Sequence, residues 1–289
     1  MTWGVAIHGG AGAIPASLTK SDQKSIAEAL DDIVSKAAAS LQSDAAALDV
    51  AQAAVEALED CPFFNAGIGA VLTREGRHEL EASIMDGSTG RAGAACGLTT
   101  VRRPIRMARA VMDRTDHVFL GGTAAERCAA EWDLQLVDNS TFTTSHRKAQ
   151  LDAWLEHKRP ADRRHHATVG AVACDVQGRL ASATSTGGMT GKMSGRIGDT
   201  PLIGAGTWAD AKVAVSATGQ GEMFILASTA RMVGARMQFA GECVEQAAEQ
   251  VLASMPPEAG GLIAVDHQGR TAMPYTSPGM HCAARSAAT

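Results

Sequence analysis

The change of character at residue 168 constrains this chain more than any other feature. Residues 145–167 are polar and mostly basic, including His146, Arg147, Lys148, Lys158, Arg159, Arg163 and Arg164. That composition predicts an exposed linker over about 146–167. Thr168-Val169-Gly170-Ala171-Val172-Ala173-Cys174 follows as an uninterrupted apolar strand that opens at a threonine. Gln177-Gly178 turns it into a second strand over 180–186, so the two read as a hairpin. A break at the head of this hairpin would create a new N-terminus without dismantling the fold.

The rest of the chain reads as helices and short strands. Ile26, Leu30, Ile33, Val34, Ala37 and Leu41 recur at three- and four-residue spacing and predict a helix over 17–43, and 44–60 repeats the pattern. Further helices are predicted over 103–114, where Pro104 suits the first turn, and over 122–132. Strands are predicted at 4–8, 80–85, 92–98, 212–218, 262–265 and 271–274, with 221–255 mostly helical between them. This order fits an α+β layered domain rather than alternating βαβ units, and no repeat of fixed period is visible. Only 4% of the 289 residues are aromatic while 30 are glycine, so the core must be built from small and aliphatic side chains in closely approaching layers.

Lys plus Arg number 26 against 31 acidic residues, leaving no electrostatic footprint for nucleic acid or an anionic membrane surface. No stretch approaches the roughly 20 apolar residues of a membrane span, and no leader pattern opens the chain, so a cytoplasmic location is expected. Six scattered cysteines without a CxxC pair predict reduced thiols rather than disulfides or a zinc site.

Three motifs invite chemistry that their neighbours do not support. His78-Glu79 begins the two-histidine zinc pattern, but its fifth position is Ala82. His8-Gly9-Gly10-Ala11-Gly12 is neither a dinucleotide fingerprint nor a Walker loop. The same His8-Gly9-Gly10, taken with Ala183-Thr184-Ser185-Thr186-Gly187, could serve a serine esterase as oxyanion strip and nucleophile elbow. That elbow needs a helix after the serine, and Gly187, Gly188, Gly191 and Gly195 are poor helix formers. A threonine at a chain terminus needs no such elbow. Its α-amine, with an ordinary pKa of about 7.7–8.0, can take the hydroxyl proton itself. Thr168 is the candidate, although a β-branched residue also suits any strand opening.

His8–Gly12, Phe64-Asn65-Ala66-Gly67-Ile68-Gly69-Ala70, Met85-Asp86-Gly87, 168–173, 183–188, Gly195-Arg196-Ile197-Gly198-Asp199-Thr200-Pro201, Gly204-Ala205-Gly206 and Thr218-Gly219-Gln220-Gly221-Glu222 together resemble, in order and spacing, the plant-type L-asparaginase / isoaspartyl peptidase family of N-terminal-nucleophile hydrolases. The resemblance implies a four-layer αββα sandwich. It also implies a single-domain precursor over 1–289, cleaved between Ala167 and Thr168 into an α-subunit (1–167) and a β-subunit (168–289). The processed pairs would then assemble as a homodimer.

For the site, the resemblance implies that Thr168 is the nucleophile, oriented by Thr186 and Thr218. Thr218 and the Gly219 N–H would form the oxyanion hole. Arg196 would grip the substrate α-carboxylate, Asp199 its α-ammonium, with the Gly221 backbone beside them. Asn65 would lie next to the nucleophile. Backbone carbonyls of Leu58, Glu59, Cys61, Phe64, Ala66 and Ile68 would surround a structural sodium, with no cofactor for the chemistry. The chain departs from the family at Ala167, where glycine is usual. A Cβ there narrows the strained conformations that help the threonine attack the preceding carbonyl, so slow cleavage is expected. Glycosylasparaginase-like hydrolysis, and an uncleaved precursor serving only binding or assembly, stay open as alternatives.

Overall fold

The computed structural model describes residues 2–12, 19–157, 165–166 and 168–287. Its strands are β1 (Gly4–Gly12), β2 (Leu80–Asp86), β3 (Ala92–Leu98), β4 (Phe119–Gly121), β5 (His165–His166), β6 (Val169–Cys174), β7 (Leu180–Thr186), β8 (Thr207–Ala209), β9 (Val213–Gly219), β10 (Gly260–Asp266), β11 (Thr271–Ala272) and β12 (Gly279–Ser286). Its helices are α1 (Lys20–Gln42), α2 (Ala47–Asp60), α3 (Pro104–Arg114), α4 (Gly122–Glu131), α5 (Ser145–His157), α6 (Gly221–Ala227), α7 (Thr229–Ala235) and α8 (Val244–Ala253).

Two sheets stack face to face. The larger runs β12-β1-β6-β7-β2-β3-β4, with β5 added on β1, and the smaller runs β11-β10-β9-β8. Side chains alternate across each strand, and that alternation sorts the core into layers. Val5, Ile7, Ala82, Ile84, Val169, Ala171 and Ala183 pack against α1, α2 and α3. Ala6, Met85, Val172, Leu180, Ala214, Ile263 and Val265 point the other way and fill the space between the sheets. Val213, Val215, Ala217, Leu262 and Ala264 pack against α7 and α8 on the outer face of the smaller sheet. The result is the expected four-layer αββα sandwich. Small residues permit the close layers: a Cβ on Gly93 would sit 2.0 Å from the Ala108 carbonyl oxygen of α3.

The 6–7 hairpin forms with the anticipated register, Val169 opposite Ser185 and Cys174 opposite Leu180. The stretch expected to be exposed linker from 146 is corrected at its start, because α5 continues to His157. Its positive charge is not all solvated. Arg147 is buried, and its Nε–H donates to the Gly69 carbonyl at 2.6 Å. Residues 158–164 and Ala167 lie outside the described residues. The strand β12, which pairs along the full length of β1, has no counterpart in the sequence reading. Among the described residues no helix is long and apolar enough to cross a membrane.

Candidate active site

Strand alternation places the threonines. Thr168 precedes Val169 at the head of β6, Thr186 closes β7, and Thr218 lies next to the end of β9. All three occupy positions of the parity that faces the space between the sheets, and all three are buried. The Thr168 hydroxyl lies 3.1 Å from the Thr186 hydroxyl and donates to it. The Gly188 N–H donates to the same Thr186 oxygen at 3.0 Å. Thr218 Oγ accepts the Ala11 N–H at 3.2 Å, which leaves its own proton free to be donated.

Gly219 follows at φ 153° and pairs with Gly260 at φ 142°. A Cβ at Gly219 would lie 2.2 Å from the Ala259 carbonyl oxygen, so no other residue fits where these strands approach.

The Asn65 side chain is hydrogen-bonded to backbone on both of its polar atoms. Its Nδ2 donates to the Gly188 carbonyl at 2.7 Å, and its Oδ1 accepts the Val71 N–H at 2.8 Å. The Gly187 N–H donates to the Asn65 carbonyl at 3.0 Å. Asn65 therefore fixes the Gly187-Gly188 turn, whose N–H in turn holds Thr186.

Arg196, Asp199 and Gly221 come together. A Cβ on Gly221 would lie 2.7 Å from Asp199 Oδ1 and 2.9 Å from Arg196 Nη2, so glycine leaves open the space between the two charges. Arg196 Nη1 also lies 3.4 Å from the Cβ position of Gly188, which joins this pair to the threonine end of the site. Arg196 forks onto Glu222, with Nε–H and Nη2–H each 2.9 Å from a carboxylate oxygen. Burial pushes the Asp199 carboxyl up to about 7, against the pull of its own backbone hydrogen bond and of the Arg196 charge. Its Oδ2 is buried without a hydrogen-bond partner. A cation delivered to that oxygen would satisfy the group and restore its charge.

The loop carrying Arg196 and Asp199 is braced from below. Glu81 and Lys192 form a buried ion pair at 3.2 Å, and the Gly198 N–H donates to the second Glu81 oxygen at 2.9 Å. Sequence reasoning assigned none of Glu222, Glu81 or Lys192. A carboxylate within the quoted 218–222 run was the one available signal.

The rival esterase reading does not survive this geometry. Ser185 has the opposite parity from Thr186, and its hydroxyl donates at 2.6 Å to Glu59 on the helical side of the sheet. No helix follows it in the chain until α6. His78 holds the Val71 carbonyl and the Thr143 hydroxyl, and no group of three or more His, Cys, Asp or Glu side chains suited to a metal occurs among the described residues.

The loop after α2 is folded tightly and carries backbone carbonyl oxygens, the donor type that hard cations take. Gly67 (φ 49°) and Gly69 (φ 90°) fold it back until Glu59, Pro62 and Phe64 carbonyl oxygens lie 2.4, 2.5 and 2.8 Å from the Cβ positions of those glycines. Ile68 N–H already donates to the Glu59 carbonyl, so that oxygen has one lone pair left.

An αββα sandwich with a buried threonine hydroxyl at the head of a central strand, hydrogen-bonded to a second threonine, is the architecture of the N-terminal-nucleophile hydrolases. The asparaginase family profile matches residues 1–289, and the chain belongs to that family. It is 46% identical to the isoaspartyl peptidase of Escherichia coli K12, over 96% of this chain and 91% of that protein. The plant-type L-asparaginase of Pyrobaculum calidifontis is 40% identical over 96% of this chain and 94% of its own. The human isoaspartyl peptidase/L-asparaginase is 38% identical over 97% and 92%.

Proposed function

We propose that the chain is made as a precursor that breaks its own Ala167–Thr168 bond, and that the freed Thr168 hydrolyses L-asparagine and β-aspartyl dipeptides to L-aspartate. The observation that carries this reading is the Thr168 hydroxyl set against Thr186 at the same end of the site as a guanidinium and a half-satisfied carboxylate. Those two charges suit an α-amino-acid head group. The names of the relatives supply the substrate class.

In the first reaction the Thr168 hydroxyl oxygen attacks the Ala167 carbonyl carbon. The C–N bond breaks, the nitrogen takes up the proton that the hydroxyl gives away and becomes the α-amine, and an ester remains for water to cleave. The residues upstream are held for this step, because β5 pairs with β1 through Ala11 opposite His166 and Gly12 opposite His165. In the second reaction the α-amine accepts the Thr168 hydroxyl proton as the oxygen attacks the β-carbonyl carbon of the substrate. Thr218 and the Gly219 N–H would hold the resulting oxyanion. The amine returns the proton to the leaving nitrogen, ammonia or an amino acid departs, and water hydrolyses the acyl ester.

We assign a sodium ion to the Leu58–Ile68 carbonyls as a structural element, a dimer of processed pairs as the assembly and the cytoplasm as the location.

Mass spectrometry of purified protein tests maturation: active material should contain fragments of 167 and 122 residues, counted from the Ala167–Thr168 bond in the 289-residue chain. Full turnover by an intact single chain would overturn the mechanism. Ala167→Gly should speed fragment formation, since glycine relaxes the backbone restriction before the nucleophile. For the head group, aspartate release is to be measured from L-asparagine, a β-aspartyl dipeptide and N-acetyl-asparagine. The first two should be cleaved and the third refused, because acetylation removes the cation that Asp199 needs. Equal rates on the acetylated compound would remove Asp199 from its assigned role.

A further inference from the structure

The space between the sheets is apolar at one end and carries hydroxyls at the other, and those hydroxyls are connected. His8 on β1 is fully buried, with one ring nitrogen, Nδ1, 2.9 Å from the Thr168 carbonyl oxygen and the other, Nε2, 2.9 Å from the Ser216 hydroxyl. Ser216 lies 2.8 Å from the Thr184 hydroxyl, and Thr207 lies 2.6 Å beyond that. Ser83 closes the line at 2.7 Å from Thr207, its own hydroxyl 2.5 Å from the Thr200 carbonyl. Five side chains on five strands thus join the backbone next to Asp199 to the backbone of the nucleophile.

Proton counting gives this line a direction. A carbonyl oxygen only accepts, so His8 Nδ1 must carry a proton. Burial pushes the imidazole down to about 3, against the help of that bond, so the ring is neutral and Nε2 is an acceptor. Ser216 must then donate to Nε2, Thr184 to Ser216 and Thr207 to Thr184, while Ser83 gives its proton to the Thr200 carbonyl. Every hydroxyl has one proton and one assignment.

Thr168 needs such a hold. Strand pairing on β6 begins at Val169, so the Thr168 carbonyl lies just outside the ladder. Space for the line is also built in: a Cβ on Gly170 would sit 2.0 Å from Ser216 Oγ and 2.4 Å from His8 Nε2.

We infer that His8, Ser216, Thr184 and Thr207 are positioning residues for the nucleophile, fixing the peptide plane of Thr168 through a one-way hydrogen-bond line whose last donor is His8 Nδ1. The inference rests on Thr168 being the nucleophile, as proposed above. The line touches neither substrate nor leaving group, so it acts on kcat rather than on KM.

Thr184 offers the clean test, because valine keeps its shape and loses the hydroxyl while serine does the reverse. In the processed enzyme Thr184→Val should lower kcat by roughly 10- to 100-fold with KM within about twofold, a cost on the scale of a misplaced reacting group. Thr184→Ser should stay within about threefold of the parent. Valine tolerated and serine impaired is the packing result, and it would overturn the inference.

A second measurement does not depend on turnover. Nitrogen-15 NMR of histidine-labelled protein at pH 5 should show His8 neutral with its proton on Nδ1. A proton on Nε2, or an imidazolium, would refute the line even if every variant failed to fold. Thr168→Ala separates the two readings: if it stayed active the nucleophile assignment would fall, whereas the His8 tautomer would be unaffected.

Discussion

Thr168→Ala is expected to remain a single chain and to release no aspartate above background, a loss of at least about 10⁴-fold in kcat/KM. Both effects follow from one deletion, since the same hydroxyl oxygen attacks the preceding carbonyl during maturation and the substrate carbonyl afterwards. The matched control is Ser185→Ala. Its hydroxyl faces α2, where it donates to Glu59 at 2.6 Å, so removing it should leave processing complete and cost only stability, about 1–3 kcal/mol for a buried hydrogen bond. Fragment masses and aspartate release from both variants decide the matter. Activity in Thr168→Ala, or its loss in Ser185→Ala with an intact fold, would return the chemistry to serine. Thr168→Ser should retain part of the rate: the hydroxyl survives, but the methyl that restricts its rotamer is gone.

This nucleophile was legible from its place between a basic stretch and an apolar strand, and from the family resemblance that also named Thr186 and Thr218. Residues 168, 186 and 218 each open or close an apolar strand that the sequence marks plainly, and alternation then decides which face they share. Arg196 and Asp199 were found by resemblance alone, since two residues in a glycine-rich loop carry no periodicity that would aim their side chains. The hydroxyls behind them had no reading at all. Thr184 and Ser216 look like ordinary strand residues, and their connection through His8 depends on two sheets stacking in one register, a fact that no local window contains.

The misplaced boundary has a similar cause. His146, Arg147 and Lys148 announce solvent, yet Arg147 turns inward to the Gly69 carbonyl, and only its tertiary partner reveals this. Strand β12 escaped notice because Cys282, Ala283 and Ala284 break the alternation and because its partner β1 lies at the other end of the chain.

Asp199→Asn is expected to be more stable than the parent at pH 7 and far less active. In the folded protein the carboxyl titrates near 7, pushed up by burial, against about 3.9 in an unfolded chain. Between those values the folded state holds more protons, so stability falls as pH rises from about 4 to 7. At pH 7 the accumulated loss is of order 3–4 kcal/mol, and asparagine, which does not titrate, is free of it. The melting temperature of Asp199→Asn should therefore exceed the parent's at pH 7, with the gap closing towards pH 4.

Glu59, raised to about 8 by its own burial, is present in both proteins and cancels from the difference. Activity runs the other way. The ionised carboxylate is what an α-ammonium would bind, so parent kcat/KM should climb with pH through about 7, and the asparagine variant should fall roughly 100-fold and lose that limb of the profile. Thermal melts and kcat/KM for L-asparagine across pH 4–8 read both quantities. A variant that is destabilised at pH 7 while keeping its activity would show that Asp199 sits in this pocket for packing and not for the substrate.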